Sequence, residues 1–143
     1  MLENFANSSQ YIIAIFQQNF AMAGLLILGL WAINFLNALL DYRLNILGIY
    51  PRSVPGLIGI FFAPFLHGDF THLFFNSIPL FVLVNFVLIG GFHQFILVTL
   101  IITVISGALI WLLSRSGFHV GASALIMGYW SYILANTYNK PRQ

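Results

Sequence analysis

Long uncharged apolar runs constrain the fold of this chain more than any other feature. Four of them, each close to the roughly 20 residues that a helix needs to cross a bilayer, cover residues 20–40, 70–91, 94–113 and 120–138. In lipid, a helix satisfies its backbone hydrogen bonds within one segment. The sequence therefore predicts an all-α membrane protein, a polytopic bundle of about four transmembrane helices.

The composition supports a membrane setting and argues against several functional classes. Apolar residues make up 60% of the 143 residues and charged residues only 6%, and the mean hydropathy is +0.94. The five basic residues are scattered among three acidic ones, so no basic patch follows a phosphate backbone and we expect no nucleic-acid binding. The absence of cysteine from the sequence excludes disulfides, thiolate metal sites and a cysteine nucleophile.

The connection between the first two predicted spans, residues 41–66, is long and contains three prolines. Its apolar part, residues 54–66, is too short to cross a bilayer and, with its prolines and glycines, too interrupted for a regular helix. We expect an ordered loop that lies in the interface or dips into the bilayer against the protein. Residues 11–16 predict a separate short interfacial helix. No soluble domain or repeat is visible, and residues 1–143 are interpreted as a single domain.

Two polar clusters interrupt this apolar sequence, each at the start of a predicted span. Residues 67–76 read HGDFTHLFFN, and residues 121–124 read GASA. Polar groups at membrane depth are costly unless they face partners, water or substrate, so they suggest a functional site. The second span leaves one side of the bilayer, the third returns, and the fourth starts on the original side. The two clusters are therefore predicted to share a side.

Within the first cluster, His72 and Asn76 are four residues apart and lie on one helical face. Their N–H groups are suitable donors for the oxyanion of a tetrahedral intermediate. An alternative is that they only form hydrogen bonds between helices. A second alternative makes His67, Asp69 and His72 metal ligands, although their spacing does not match a helical two-histidine pattern.

In the second cluster, Ser123 lies among small residues at a helix start, where free N–H groups surround its hydroxyl. These are suitable surroundings for a nucleophile, but Gly121 and Gly128 also fit a small-residue packing face. A serine hydroxyl needs a base to accept its proton. His119 is the nearest candidate, but it belongs to the connecting segment, where its ring can instead bond the loop backbone.

The two clusters together resemble the rhomboid family of intramembrane serine proteases, and bacterial members in particular. The combined pattern is His67-x4-His72-x3-Asn76 followed by Gly121-Ala122-Ser123. Similar sequence surrounds it, from about residue 31 to the end of the chain. The fixed order of these motifs is far more specific than either cluster alone.

The resemblance implies a role for each matching position. Ser123 matches the nucleophile, and its backbone N–H would form part of the oxyanion hole, which the side chains of His72 and Asn76 would complete. His67 matches a histidine that orders the entrance of the second span, and residues 41–66 match the partly membrane-embedded first loop. The resemblance implies no metal or organic cofactor.

Two positions depart from the family pattern. Ala124 replaces the glycine that usually follows the nucleophile, so its methyl group is expected to crowd the helix packing, although Gly128 is retained. The family's general base is a histidine on the sixth span of a six-helix core, and no histidine in this sequence matches it. We therefore expect the 143-residue chain to be inactive, and interpret it as truncated after the fourth span.

These interpretations lead to two main hypotheses. The first is a serine endopeptidase that cleaves transmembrane protein substrates, and the alternative is a non-catalytic rhomboid-like protein that binds client transmembrane helices. An ion or proton path is a third, weaker hypothesis. The resemblance implies a bacterial inner membrane with the site towards the extracytoplasmic face. Charge alone decides little, because three arginines lie on the site's side and Lys140 and Arg142 on the other. Nothing in the sequence fixes the oligomeric state or the client.

Overall fold

The structure is a computed structural model that describes residues 2–138, and in this part the regular secondary structure is helical. Five α-helices follow one another: α1 (Leu2–Leu39), α2 (Val54–Phe62), α3 (Phe70–Leu88), α4 (Phe92–Leu113) and α5 (Ser123–Tyr138). Short 3-10 segments at Arg43–Leu47 and Ala63–Phe65 flank α2. Residues 2–138 form no β-strand beyond one isolated backbone bridge. The predicted all-α class is confirmed.

Within residues 2–138, three helices are long and apolar enough to cross a bilayer. They are Gln17–Leu39, Phe70–Leu88 and Phe92–Leu113, which confirms the first three predicted spans to within a few residues. The fourth, predicted at 120–138, is helical from Ser123 to Tyr138, the last residue that the structure describes. The predicted cations Lys140 and Arg142 lie outside the described residues.

The predicted separate helix at residues 11–16 is wrong. The backbone of α1 continues without a break from Leu2 to Leu39. Residues 2–23 contain neither glycine nor proline, so no residue with a strong local preference against helix interrupts this part of the chain.

The expectation that residues 54–66 are too interrupted for a regular helix is also wrong. Residues 54–62 form α2, whose start is capped by Ser53: its Oγ accepts a hydrogen bond from the Gly56 N–H at 3.1 Å. Pro55 lies in the first turn, where a missing N–H removes no helical bond. The connection between α1 and α3 is therefore an ordered, largely helical segment.

The helices pack around α3 and α5. Helix α3 packs against both α1 and α5, and α4 packs against α5 and α2. The buried core is apolar and includes Leu30, Leu73, Leu83, Val87, Phe95, Ala122, Leu125 and Tyr129. Other large apolar side chains point outwards: Leu25, Phe75 and Leu113 are 69%, 66% and 77% exposed. Such exposure is unfavourable in water but suits lipid-facing helix surfaces, so the packing agrees with an integral membrane protein.

Candidate active site

Helix α3 begins at the first polar cluster, and Asp69 fixes where it begins. Asp69 has extended backbone geometry, and its Oδ1 accepts a hydrogen bond from the His72 N–H at 2.7 Å. An aspartate at this position is a favourable N-cap because it satisfies a free helix donor and carries negative charge. Within the described residues, no group of three or more histidine, aspartate or glutamate side chains is arranged to hold a metal ion.

His67 is fully buried beside the first turns of α3. Its Nε2 lies 3.1 Å from Asn76 Nδ2, and its ring lies 5.1 Å from the His72 ring, centroid to centroid, in a T-shaped arrangement. Burial, together with the neighbouring His72, lowers the pKa of His67 to about 4, although Asp69 and the Phe65 carbonyl oppose this shift. The imidazole is therefore neutral near pH 7. Because an amide N–H can only donate, Nε2 accepts from Asn76 and the proton lies on Nδ1.

The second cluster meets the first at Gly121. Its φ of +118° lies in a region that favours glycine, and a Cβ at this position would lie 2.7 Å from His72 Cε1 and 3.6 Å from Asn76 Nδ2. A side chain at position 121 would therefore require the His72 ring to move, in addition to a backbone conformation that favours glycine. Ser123 follows two residues later as the first residue of α5, and it is exposed. The prediction that the two clusters share a side of the bundle is confirmed.

Backbone pairing with the α1–α3 connection holds the segment that leads to Ser123. Ile49 and His119 exchange two backbone hydrogen bonds, with N···O distances of 3.0 and 2.8 Å, and the Gly121 N–H donates to the Ala63 carbonyl at 2.9 Å. This pairing occurs on both sides of α2. These hydrogen bonds to the connection therefore fix the position of Gly121 against α3.

His119 is engaged in the same loop. Its backbone pairs with Ile49, and its ring Nε2 lies 2.9 Å from the Arg115 carbonyl. This is the loop-backbone arrangement that the sequence offered as the alternative to a catalytic role. The ring nitrogen that contacts Arg115 is not free to accept a proton from Ser123.

Comparison with known proteins agrees with the motifs. Residues 55–143 match the Rhomboid domain family, and this match covers more than half of the chain. The chain belongs to the rhomboid family. No solved structure matches it.

The rhomboid chain also resembles several uncharacterized mycobacterial proteins. It is 36% identical over 111 residues to proteins of Mycobacterium tuberculosis and Mycobacterium bovis, which is 73% of this chain and 46% of each relative. It is 34% identical over 123 residues to a protein of Mycobacterium leprae, covering 79% of this chain and 49% of the relative. The chain thus spans about half the length of the curated relatives it matches.

Ala124, the departure from the usual rhomboid glycine, lines a cavity of about 20 Å³ together with Ala63, Gly107 and Ile110. Gly128, one turn further, packs closely against α4: a Cβ there would lie 2.1 Å from Ile102 Cγ2.

The connection of this rhomboid domain is also tied to the C-terminal end of α4. Arg52 Nη1 donates to the carbonyls of Ser114, at 2.8 Å, and Leu112, at 3.3 Å, and Trp111 Nε1 donates to the Ser53 carbonyl at 2.8 Å. A cation at a helix C-terminus satisfies free carbonyls and interacts favourably with the helix dipole. Arg52 therefore anchors the connection to the bundle.

The sequence interpretation missed three asparagines that support the segment carrying His67. Asn34 and Asn37 of α1 are buried, and they bind the connection directly, while Asn45 lies between Asn37 and His67. A signal was present, since two asparagines three residues apart lie on one face of an otherwise apolar span. The pattern does not reveal which backbone groups they contact.

Proposed function

We propose that this chain carries the nucleophile and the oxyanion-binding groups of an intramembrane serine endopeptidase that cleaves transmembrane segments. Ser123 is the proposed nucleophile, and His72 and Asn76 are the proposed oxyanion donors. Rhomboid family membership supports the protease class, and the packing of His72 and Asn76 against Gly121, two residues before Ser123, supports the assignment of these residues.

The approach of Gly121 to His72 carries the proposal. An oxyanion hole requires its donors to converge on one point near the nucleophile. The Ser123 N–H lies at the free N-terminal end of α5, and the side chains of His72 and Asn76 reach the same segment through the space that Gly121 leaves open. An apolar or β-branched residue at position 121 would separate these groups.

The proposed reaction follows from these groups. The Ser123 hydroxyl attacks the scissile carbonyl of an unwound client segment, and its proton passes to a general base. The oxyanion accepts hydrogen bonds from the Ser123 N–H, His72 and Asn76. Collapse of the tetrahedral intermediate, with protonation of the leaving amine, gives an acyl-enzyme that water then hydrolyses.

The resemblance implies a general base on a later span, and no histidine of this sequence matches it. The contacts of His67 and His119 are consistent with this, since Nε2 of His67 accepts from Asn76 and Nε2 of His119 contacts the Arg115 carbonyl. Without the base, the rate falls by orders of magnitude while oxyanion binding survives.

A serine-reactive fluorophosphonate tests the proposal on the protein as its gene encodes it, in lipid nanodiscs. We expect labelling of the wild type and none of Ser123→Ala. The matched control is Ser131→Ala, since Ser131 is another exposed serine of α5 whose hydroxyl donates to the Met127 carbonyl. Labelling that survives Ser123→Ala, or that depends equally on Ser131, contradicts the proposal.

The alternative function is a non-catalytic rhomboid-like protein that binds client transmembrane helices. The contacts of His67 and His119 are equally compatible with it, because neither contact requires a catalytic role. This alternative predicts client capture that survives Ser123→Ala and no fluorophosphonate labelling of the wild type. The same labelling experiment therefore separates the two functions.

For cellular placement, we propose a bacterial inner membrane with Ser123 towards the extracytoplasmic face. We also propose that residues 1–143 belong to a single rhomboid-like domain. Three membrane-length helices support the integral membrane setting. The likeness to mycobacterial proteins supports a bacterial source of this arrangement.

A further inference from the structure

The His67 backbone is held on both sides by amide side chains. Asn34 Oδ1 accepts from the His67 N–H at 2.8 Å, and Asn45 Nδ2 donates to the His67 carbonyl at 3.3 Å. A loop residue whose N–H and carbonyl both bind specific side chains is fixed more strongly than by packing alone. His67 lies directly before α3, so this attachment also fixes the entrance of the helix.

One face of α1 supports both contacts, directly through Asn34 and indirectly through Asn37, which binds Asn45. Asn34 Nδ2 also donates to the Phe65 carbonyl at 2.8 Å, so its amide binds the chain on each side of residue 66. Asn37 Nδ2 donates to Asn45 Oδ1 at 2.9 Å, which orients the amide that reaches His67. Asn34 and Asn37 are 2% and 0% exposed. Asn34 also donates to the Leu30 carbonyl of its own helix, and Asn37 Oδ1 accepts from the Leu44 N–H. Two buried amides of a membrane-spanning helix thus contact the connection, Asn34 at His67 itself and Asn37 through Asn45.

The imidazole of His67 connects this fixed segment to the candidate site. Its Nε2 accepts a hydrogen bond from Asn76 Nδ2 at 3.1 Å, with His67 completely buried. An asparagine amide carries two N–H groups, so this bond uses one and leaves the other for a ligand. Rotation of the Asn76 amide is thus limited by His67, and the position of His67 is limited by α1.

We infer that Asn34 and Asn37, with Asn45 as intermediary, are positioning residues that orient the Asn76 amide for the oxyanion by fixing His67. The expected effect on catalysis rests on the proposed function, whereas the effect on the position of His67 does not. A misplacement of about 1 Å in such a group is enough to cost on the order of 100-fold in rate.

The chain provides a matched control in Asn85 of α3. Asn85 is also buried in a span, at 6% exposed, but its Nδ2 donates to the Phe81 carbonyl of its own helix. Asn34→Leu and Asn85→Leu thus make the same chemical change at two buried span positions. Only the first removes contacts with the segment that carries His67.

The experiment measures positioning in two ways on the protein as its gene encodes it, in nanodiscs. The first readout is the set of 15N signals of the His67 ring and the Asn76 side chain. In Asn34→Leu we expect the His67 titration midpoint to rise towards that of an ordinary histidine. We also expect the chemical shifts of the two Asn76 amide protons to become more similar. Asn85→Leu is expected to keep the wild-type signals.

The second readout is fluorophosphonate acylation of Ser123. Asn34→Leu is expected to lower the maximal acylation rate about 10- to 100-fold, while the half-saturating probe concentration stays near the wild-type value. Asn85→Leu is expected to change neither. Wild-type ring signals and rate in a folded Asn34→Leu variant overturn the inference. If the wild type is not labelled at all, the proposed function fails, while the 15N signals still decide whether α1 positions His67.

A second variant keeps the test decisive if Asn34→Leu does not fold. Asn45→Ala removes the 3.3 Å bond to the His67 carbonyl and the 2.9 Å bond from Asn37 Nδ2, and it leaves the Asn34 contacts in place. We expect changes in the same direction as for Asn34→Leu but smaller. Unchanged His67 and Asn76 signals in Asn45→Ala, alongside an unfolded Asn34→Leu, overturn the inference.

Discussion

At the scale of single residues, Gly121 is subject to two independent constraints. Its φ of +118° disfavours any side chain, and a Cβ would lie 2.7 Å from His72 Cε1. A strained backbone of this kind costs about 1–3 kcal/mol in a non-glycine residue. The steric conflict acts separately, because it pushes the His72 ring away from the segment that leads to Ser123.

Gly121→Ala, compared with a glycine variant that strains the backbone alone, tests whether displacement of His72 impairs the site. Loss of one oxyanion donor typically costs about 10²- to 10³-fold in rate, and we expect a loss of that order in Ser123 acylation. Gly117→Ala is the matched control, because Gly117 also has a positive φ, +138°, but nothing lies within 4 Å of its Cβ position. Equal losses in the two variants would show that strain, and not displacement of His72, is responsible.

The buried neutral state of His67 predicts a dependence of stability on pH. Its pKa is lowered from 6.5 to about 4 in the fold, so the unfolded chain binds more protons between these values. Stability therefore falls as the pH decreases from 6.5 towards 4, by at most about 1.4 kcal/mol per pH unit. The measurement is thermal unfolding in detergent from pH 7 to pH 4.5.

The control for this pH effect is His67→Gln, which removes the titrating group. His72 and Asp69 lie beside His67, and both remain in the variant. We expect a shallower decrease in melting temperature with falling pH than in the wild type. Parallel pH profiles of the two proteins would mean that other groups dominate acid unfolding.

At the scale of helices, the spacing of α4 and α5 depends on Gly128. A Cβ at this position would lie 2.1 Å from Ile102 Cγ2, which is closer than atoms can approach. Ile102 is β-branched, so its χ1 has little freedom to rotate away. We expect Gly128→Ala to destabilise the fold by about 1–3 kcal/mol, as overpacking of an interior does.

A double-mutant cycle checks the origin of that loss. Ile102→Ala removes the methyl group that Gly128→Ala would meet, so the double variant is expected to recover part of the stability lost in Gly128→Ala. Chemical or thermal unfolding in the same detergent gives the interaction energy. Additive effects of the two substitutions would show that the helices do not meet at this pair.

The elements differ in how far the sequence predicts them. Spans α3 and α4 follow from bilayer thickness and apolar run length, which act locally. Helix α2 was missed because its prolines suggested interruption, whereas Pro55 lies in the first turn, where proline is tolerated, and Ser53 caps the helix. Local rules decide such a start only when the position of proline relative to the cap is known.

In the candidate site, too, the features set by local rules are predictable and those set by tertiary contacts are not. The spacing of His72 and Asn76 on one helical face and the shared side of the two clusters are consequences of helical period and span counting. The contacts of Asn34 with residues 65 and 67 are not, because they depend on how the connection folds back onto α1. Tertiary contacts of this kind leave only a weak signal, a polar residue in an apolar span.

At the scale of the whole molecule, the positions of the polar clusters imply that both lie at one membrane surface and the α3–α4 turn at the other. The sequence contains no cysteine, so single introduced cysteines report their side without background labelling. Gly68 and Ser116 are exposed near the site, and His93 is exposed at the opposite turn. A Cβ at Gly68 meets no atom within 4 Å, so cysteine fits there.

We expect a membrane-impermeant maleimide added to intact cells to label Gly68→Cys and Ser116→Cys but not His93→Cys. Permeabilised cells should label all three, which controls for reactivity. Labelling of His93→Cys alone would reverse the proposed orientation and leave the fold intact. Labelling of Gly68→Cys and Ser116→Cys from different sides would contradict the arrangement itself, because Gly121 could not then contact His72, and the proposed oxyanion site would not form.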